Sequence, residues 1–165
     1  MDEIRQSPDD GFSSAFSGAV ARLQVTVLEA CREQRLWPAK IAAAVAAAIE
    51  FAAQEPESLR LLAVDALMHR PDGGRRYVRT IGHFAELLRA EAPIDERRPK
   101  TTEQALVGGI ATTIADRTRY ATPEELRATV PELVEFVLLP YVGPAEAKRW
   151  ARWATQRSGH GSRAQ

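Results

Sequence analysis

The residues whose side chains could carry out chemistry are scattered along this chain. The three histidines, His69, His83 and His160, lie far apart and share no HxxxH or ExxH spacing, the spacings that hold a metal on one face of a helix. No GxSxG or GxGxxG motif is present, so neither an activated serine nor a phosphate-binding loop is indicated. We therefore expect a protein that is not an enzyme and that needs no metal and no cofactor.

Asp65 is the acidic residue with the most unusual surroundings. It directly follows the apolar run of residues 61–64, and an unpaired carboxylate is costly to bury. Two interpretations remain open. Asp65 either orients a bound ligand or pairs with an arginine, such as Arg60 or Arg70.

The composition is that of an ordinary soluble domain, with 45% hydrophobic and 27% charged residues. Its 22 basic residues balance its 22 acidic ones, whereas a nucleic-acid binder usually carries a concentrated positive face. No apolar run is long enough for a membrane span, so we expect no membrane contact. Cys31 is the only cysteine, which excludes an internal disulfide and makes a cytoplasmic location the default expectation.

Apolar residues recur at intervals of three and four, the pattern of amphipathic helices. A first stripe runs from Phe12 to Cys31, and further helices begin at Trp37-Pro38 and at Pro56, because proline is favoured in a first turn. A fourth helix is predicted over 75–90, after the turn signal of residues 71–74. Residues 92–100 read as a loop.

The C-terminal third contains a fifth predicted helix, capped by residues 101–103, and a sixth from Leu126 to Leu139 that Pro140 stops. Pro131 should kink the sixth helix or delay its regular start. A short terminal helix follows over 144–154. No segment reads as a strand, so we predict an all-α antiparallel bundle of six or seven helices. The expected organisation is a flexible N-terminus (1–11), one domain (12–155) and a disordered tail (156–165).

Residues 103–144 form the most informative stretch. Gly108 and Gly109 interrupt its apolar run, although a glycine inside a helix costs about 1 kcal/mol relative to alanine. We interpret the pair as a point where another backbone comes close. This stretch resembles the C-terminal effector and dimerisation domain of TetR-type transcriptional regulators. The resemblance extends to residues on both sides of this stretch, which are Trp37-Pro38, Phe51, Glu55-Pro56 and Glu146-Ala147.

The resemblance implies a pocket for a small, largely apolar ligand among the first five helices. The implied lining is Phe51, Leu62, Asp65, Met68, His69, Tyr77, Ile81, Phe84 and Ile114. The apolar members of this set can equally be plain core. Only eleven residues precede Phe12, too few for the DNA-reading head of such regulators. We therefore expect no DNA binding by this chain alone.

A strip of small residues on the fifth helix and an apolar face on the sixth predict a homodimer, since two apolar faces on one helix need two partners to cover them. The predicted interface comprises Ala105, Gly108, Gly109, Thr112, Leu133, Phe136, Val137 and Pro140. The alternative is that both faces are covered within the monomer.

Together these patterns favour a ligand-sensing, dimeric regulatory domain that controls transcription if a DNA-binding head is present in the native protein. The other hypothesis is a headless helical interaction module that dimerises or heterodimerises without a ligand.

Overall fold

The apolar stripes become long helices in the computed structural model, which describes residues 8–68, 72–93, 99 and 101–158. The elements are α1 (Pro8–Arg32), α2 (Trp37–Gln54), α3 (Pro56–Arg60), a π-helical segment (Leu61–Asp65), α4 (Ala66–Met68), α5 (Gly73–Glu91), α6 (Thr102–Tyr120), α7 (Pro123–Arg127) and α8 (Val130–Ser158). These described residues contain no strand, which confirms the predicted all-α class. Over the same ranges, no helix is both long and apolar enough to cross a bilayer.

Proline opens several helices, as the sequence predicts. Pro38 and Pro56 occupy first turns of α2 and α3. Pro123 does the same in α7, where Thr122 and Glu125 form a capping box. The Thr122 hydroxyl accepts from the Glu125 N–H at 3.2 Å, and the Glu125 carboxylate accepts from the Thr122 N–H at 2.8 Å. The hydrogen bond from the Thr122 N–H lowers the pKa of Glu125, and the two bonds together satisfy donors that a helix start leaves unpaired.

Some boundaries differ from the predicted ones. Helix α1 already begins at Pro8, so residues 8–11 are helical, and α8 reaches Ser158. Residues 1–7 and 159–165 lie outside the described part. Helix α5 begins at Gly73 rather than Arg75. Gly73 is buried there, and tertiary packing of this kind outweighs its weak helix propensity.

The helix break predicted at Pro140 occurs three residues later, at Gly143. Helix α7 ends at Arg127, residues 128–129 form a turn, and α8 begins at Val130, just before Pro131. Helix α8 then continues through Pro140. Tyr141 and Val142 pack against the main core on the next turn, and this packing offsets the hydrogen bond that proline removes. The chain changes direction at Gly143, whose φ of 77° is readily available only to glycine.

Helix α2 is the centre of the bundle, because it packs against α1 on one side and against α8 on the other. The main core lies along the α2–α8 contact. A smaller cluster lies between α1, α2 and the α3–α4 region and consists of Phe16, Ala19, Phe51, Leu62 and Ala66. Small residues such as Ala42 and Ala147, both fully buried, let the helix axes approach closely.

The terminal part of α8 packs on the bundle. Trp150 and Trp153 are partly buried against the main core. Their rings meet edge to face at 5.5 Å, a favourable arrangement for two aromatic side chains. This contact accounts for the two tryptophans as packing residues.

Candidate functional site

Several predicted ligand-binding residues lie within the core. Phe51 and Leu62 are 4% and 7% exposed and belong to the smaller cluster, with Tyr77 packed at its edge. Ile114 is buried in the main core. Phe51 and Leu62 thus contact other side chains of the cluster, which is the alternative that the sequence left open for the apolar members.

Among the other described members of the predicted pocket, Asp65 and Phe84 are half-buried and Met68 is exposed. The Oδ1 atom of Asp65 lies 3.5 Å from Nε of Arg60, so the carboxylate has the arginine partner that the sequence offered as one alternative. Met68 is 78% exposed. Phe84 is half-buried, and its ring contacts that of His83 edge to face at 5.8 Å. His69 lies outside the described residues.

Tyr77 and Ile81 do come together, along an open groove of about 320 Å³ between α5 and α6 that we call the α5/α6 groove. Its full lining is Tyr77, Val78, Ile81, Gly82, Gln104, Gly108 and Thr112. A Cβ atom added at Gly82 or Gly108 would meet no atom within 4 Å. The two glycines therefore leave empty space in the groove, and no intramolecular contact requires them.

The predicted dimer residues differ in exposure, and the two glycines among them are half-buried. Leu133 and Val137 are buried in the main core, 4% and 1% exposed. The exposed ones, together with the neighbouring Leu139, form a surface over α6 and α8 that we call the outer face. It consists of Ala105, Thr112, Phe136, Leu139 and Pro140.

Gly109 lies where α6 and α8 contact each other in the outer face. A Cβ atom at this position would lie 3.1 to 3.2 Å from the Phe136 ring, closer than an ordinary van der Waals contact. The close neighbour of Gly109 is thus an aromatic ring of the same chain. At Gly108 no neighbour comes near, so the interpretation of the glycine pair as a close approach of two backbones does not hold within the chain.

A polar contact that the sequence did not indicate holds α5, α6 and α8 together. Glu103 is 3% exposed and accepts hydrogen bonds from Arg89 at 2.6 Å and from the Tyr141 hydroxyl at 3.1 Å. The Tyr141 ring in turn packs 4.9 Å from that of Trp37. The capping motif at residues 101–103 suggested a helix start, but Thr101 makes no side-chain cap. Glu103 instead supports the tertiary structure.

Within the ranges that the structure describes, no three His, Cys, Asp or Glu residues are grouped closely enough to hold a metal ion. Comparison with models of protein families, with curated proteins and with solved structures gave no match to this chain.

Proposed function

We propose that this chain is the effector-binding and dimerisation domain of a TetR-like transcriptional regulator, and that two copies associate through the outer face. The observation that carries the proposal is the exposure of Phe136 and Leu139, at 42% and 44%, beside the small residues of α6. Phe136, Leu139 and Pro140 follow a helical spacing of three and four, and residues with this spacing lie on one side of a helix.

Association of α6 and α8 with the same helices of a second copy would form a four-helix arrangement about a two-fold axis. Each apolar side chain covered in this way contributes roughly 25 cal/mol per Å² of surface removed from water. The small residues Ala105 and Gly108 favour the contact, because they let a second helix come close.

The α5/α6 groove is the site we propose for a small apolar ligand. Tyr77 and Ile81 supply apolar walls, and Gln104 and Thr112 supply polar groups at its edge. Such a combination orients a ligand while most of its surface is buried. Thr112 belongs to both the groove and the outer face, so ligand binding and dimerisation would affect each other. With a DNA-binding head in the native protein, this linkage would control transcription.

A second candidate is a helical interaction module that dimerises or heterodimerises without a ligand. The packing of Phe51 and Leu62 into the smaller cluster favours it, since a sensor pocket in that region would require these side chains to separate.

Sedimentation velocity at micromolar concentration tests the association. We expect a dimer for the natural sequence and a monomer for Leu139→Glu, because the substitution would bury an unpaired charge. Val25→Glu is the matched control, since Val25 is exposed on α1, at 54%, outside the outer face. Gly109→Arg should also separate the copies, but it displaces Phe136 as well. A monomeric natural protein would refute the interface.

Fluorescence of the neutral apolar probe N-phenyl-1-naphthylamine distinguishes the two candidates. We expect the natural protein to bind the probe, and Gly82→Leu to weaken binding by filling the groove while the protein remains dimeric. Gly82 lies on α5, outside the outer face. A dimer that binds no probe would favour the interaction module.

A further inference from the structure

The helix that follows Pro56 changes its hydrogen-bonding pattern over Leu61–Asp65, where it is π-helical. Arg60 and Ala66, on either side, have ordinary α-helical dihedral angles. The segment contains neither glycine nor proline, so no local residue explains the change. Short π-helical insertions of this kind are rare and frequently mark functional sites.

One wall of a second groove, of about 200 Å³, is formed by α3 and this segment, and the opposite wall is the C-terminal half of α6. The lining residues, which define the α3/α6 groove, are Pro56, Glu57, Leu59, Arg60, Ala63, Val64, Ala115, Thr118 and Arg119. Ala63 and Val64 belong to the π-helical segment itself. The unusual backbone therefore shapes the groove directly.

The α3/α6 groove has an apolar interior and charged residues at its rim. Leu59 is buried, while Ala63, Val64 and Ala115 are half-buried, so their side chains form a partly exposed apolar surface. Among its charged lining residues, Glu57 is negative, Arg60 is paired with Asp65, and Arg119 carries a positive charge. An apolar surface beside the positive charge of Arg119 is complementary to a molecule with an apolar body and an anionic end.

Arg119 is the better placed of the two arginines to bind an anion. Arg60 is already 3.5 Å from Asp65, whereas no carboxylate of the described residues forms a salt bridge with Arg119. The neighbouring Thr118 hydroxyl donates its proton to the Ile114 carbonyl at 2.7 Å. The guanidinium of Arg119 therefore offers the donors, in a planar arrangement that matches a carboxylate.

We propose that the α3/α6 groove binds a small amphipathic carboxylate, whose apolar part lies against Ala63, Val64 and Ala115 and whose carboxylate accepts hydrogen bonds from Arg119. The modest volume favours a short alkyl or single-ring acid over a long-chain lipid. This site is separate from the α5/α6 groove and from the outer face, so the inference holds for a monomer as well as for a dimer.

Titration with sodium octanoate, followed by two-dimensional amide NMR of the full chain, tests this site. We expect saturable shifts of amides in residues 59–64 and 115–119. Arg119→Gln should weaken octanoate binding about fivefold, because one partly exposed ion pair contributes only modestly. Arg152→Gln, at an exposed arginine of α8 outside the groove, should bind octanoate like the natural protein.

Two further measurements separate charge recognition from general hydrophobic binding. 1-Octanol has the same chain without the charge, so it should bind more weakly than octanoate and should be insensitive to Arg119→Gln. Ala115→Leu should block both molecules by filling the groove. Equal binding of octanoate and octanol, an unchanged affinity in Arg119→Gln, or no shift in residues 59–64 and 115–119 would each overturn the proposal. These outcomes leave the dimer and the α5/α6 groove untouched.

Discussion

The two sides of α8 carry similar apolar residues but have different surroundings. Val134 and Leu138 are completely buried against the bundle, whereas Phe136 and Leu139 are 42% and 44% exposed. Helix α2 covers the inner side, and no described element covers the outer one to the same extent. The monomer therefore needs the inner residues for its stability, while the outer residues are available for a partner.

Replacement of the two adjacent leucines gives the largest expected contrast. Leu138→Ala should lower the free energy of unfolding by about 2–5 kcal/mol, because it leaves a cavity in the core. Leu139→Ala should cost less than about 0.5 kcal/mol in the monomer, as exposed positions usually do. Urea denaturation of both variants measures the difference. Equal losses would contradict the division of α8 into a covered and an uncovered side.

The same measurement can be made sharper by varying the protein concentration. If a second copy covers Leu139, the loss caused by Leu139→Ala should grow as the concentration rises, because binding to the folded state stabilises it by mass action. The loss caused by Leu138→Ala should remain large at every concentration.

The glycine pair of α6 offers a smaller contrast at the edge of the outer face. Gly108→Ala should raise the free energy of unfolding by up to about 1 kcal/mol, since alanine favours the helix and no neighbour lies near. Gly109→Ala should gain less, because its Cβ atom would press on the Phe136 ring. Thermal denaturation compares them, with Gly109→Ala/Phe136→Ala as the control that removes the clash. Equal gains at both glycines would argue against the Phe136 contact.

The smallest expected effect concerns a partly exposed ion pair between α2 and α7. The carboxylate of Glu50 accepts two hydrogen bonds from Arg127, at 2.7 and 2.9 Å, and these lower the pKa of Glu50. The ionised carboxylate is therefore favoured in the folded state. Its contribution should be fully present above the ordinary pKa of 4.5 and should disappear as the pH falls through the lower folded value.

Glu50→Gln tests this pH dependence. Both side chains of the pair are more than a third exposed, so the variant should lose only about 0.5–1 kcal/mol at pH 7, and the loss should vanish in acid. Glu132→Gln is the control, because Glu132 meets Arg117 only at 3.8 Å and is 69% exposed. A loss that persists unchanged well below pH 4.5 would contradict the assignment. Urea denaturation as a function of pH provides the measurement.

Much of the helical framework was predictable, because it depends on local chemistry. The starts at Trp37-Pro38 and Pro56, and the capping box of Thr122 and Glu125, follow from residues close in sequence. The passage of α8 through Pro140 was not predictable in this way, since it depends on the packing of Tyr141 and Val142 against the core. The π-helical segment also has no signal in its sequence.

The candidate sites were predictable only in part. Two residues of the predicted pocket, Tyr77 and Ile81, line a groove. Two others, Phe51 and Leu62, pack in the core, and Met68 is exposed. Apolar periodicity identifies the side of a helix that has to be buried. It does not say whether a neighbouring helix or a ligand buries that side.

The all-α class, the main helix starts and the apolar residues of α8 follow from the sequence, because each depends on propensity, capping or spacing along one chain segment. Tertiary packing is needed to establish that Leu138 is covered and Leu139 is not, and that Glu103 is buried between Arg89 and Tyr141. These outcomes depend on which helices meet. The physical reason is that a helical stripe specifies its own direction, whereas burial requires a second surface from a distant part of the chain.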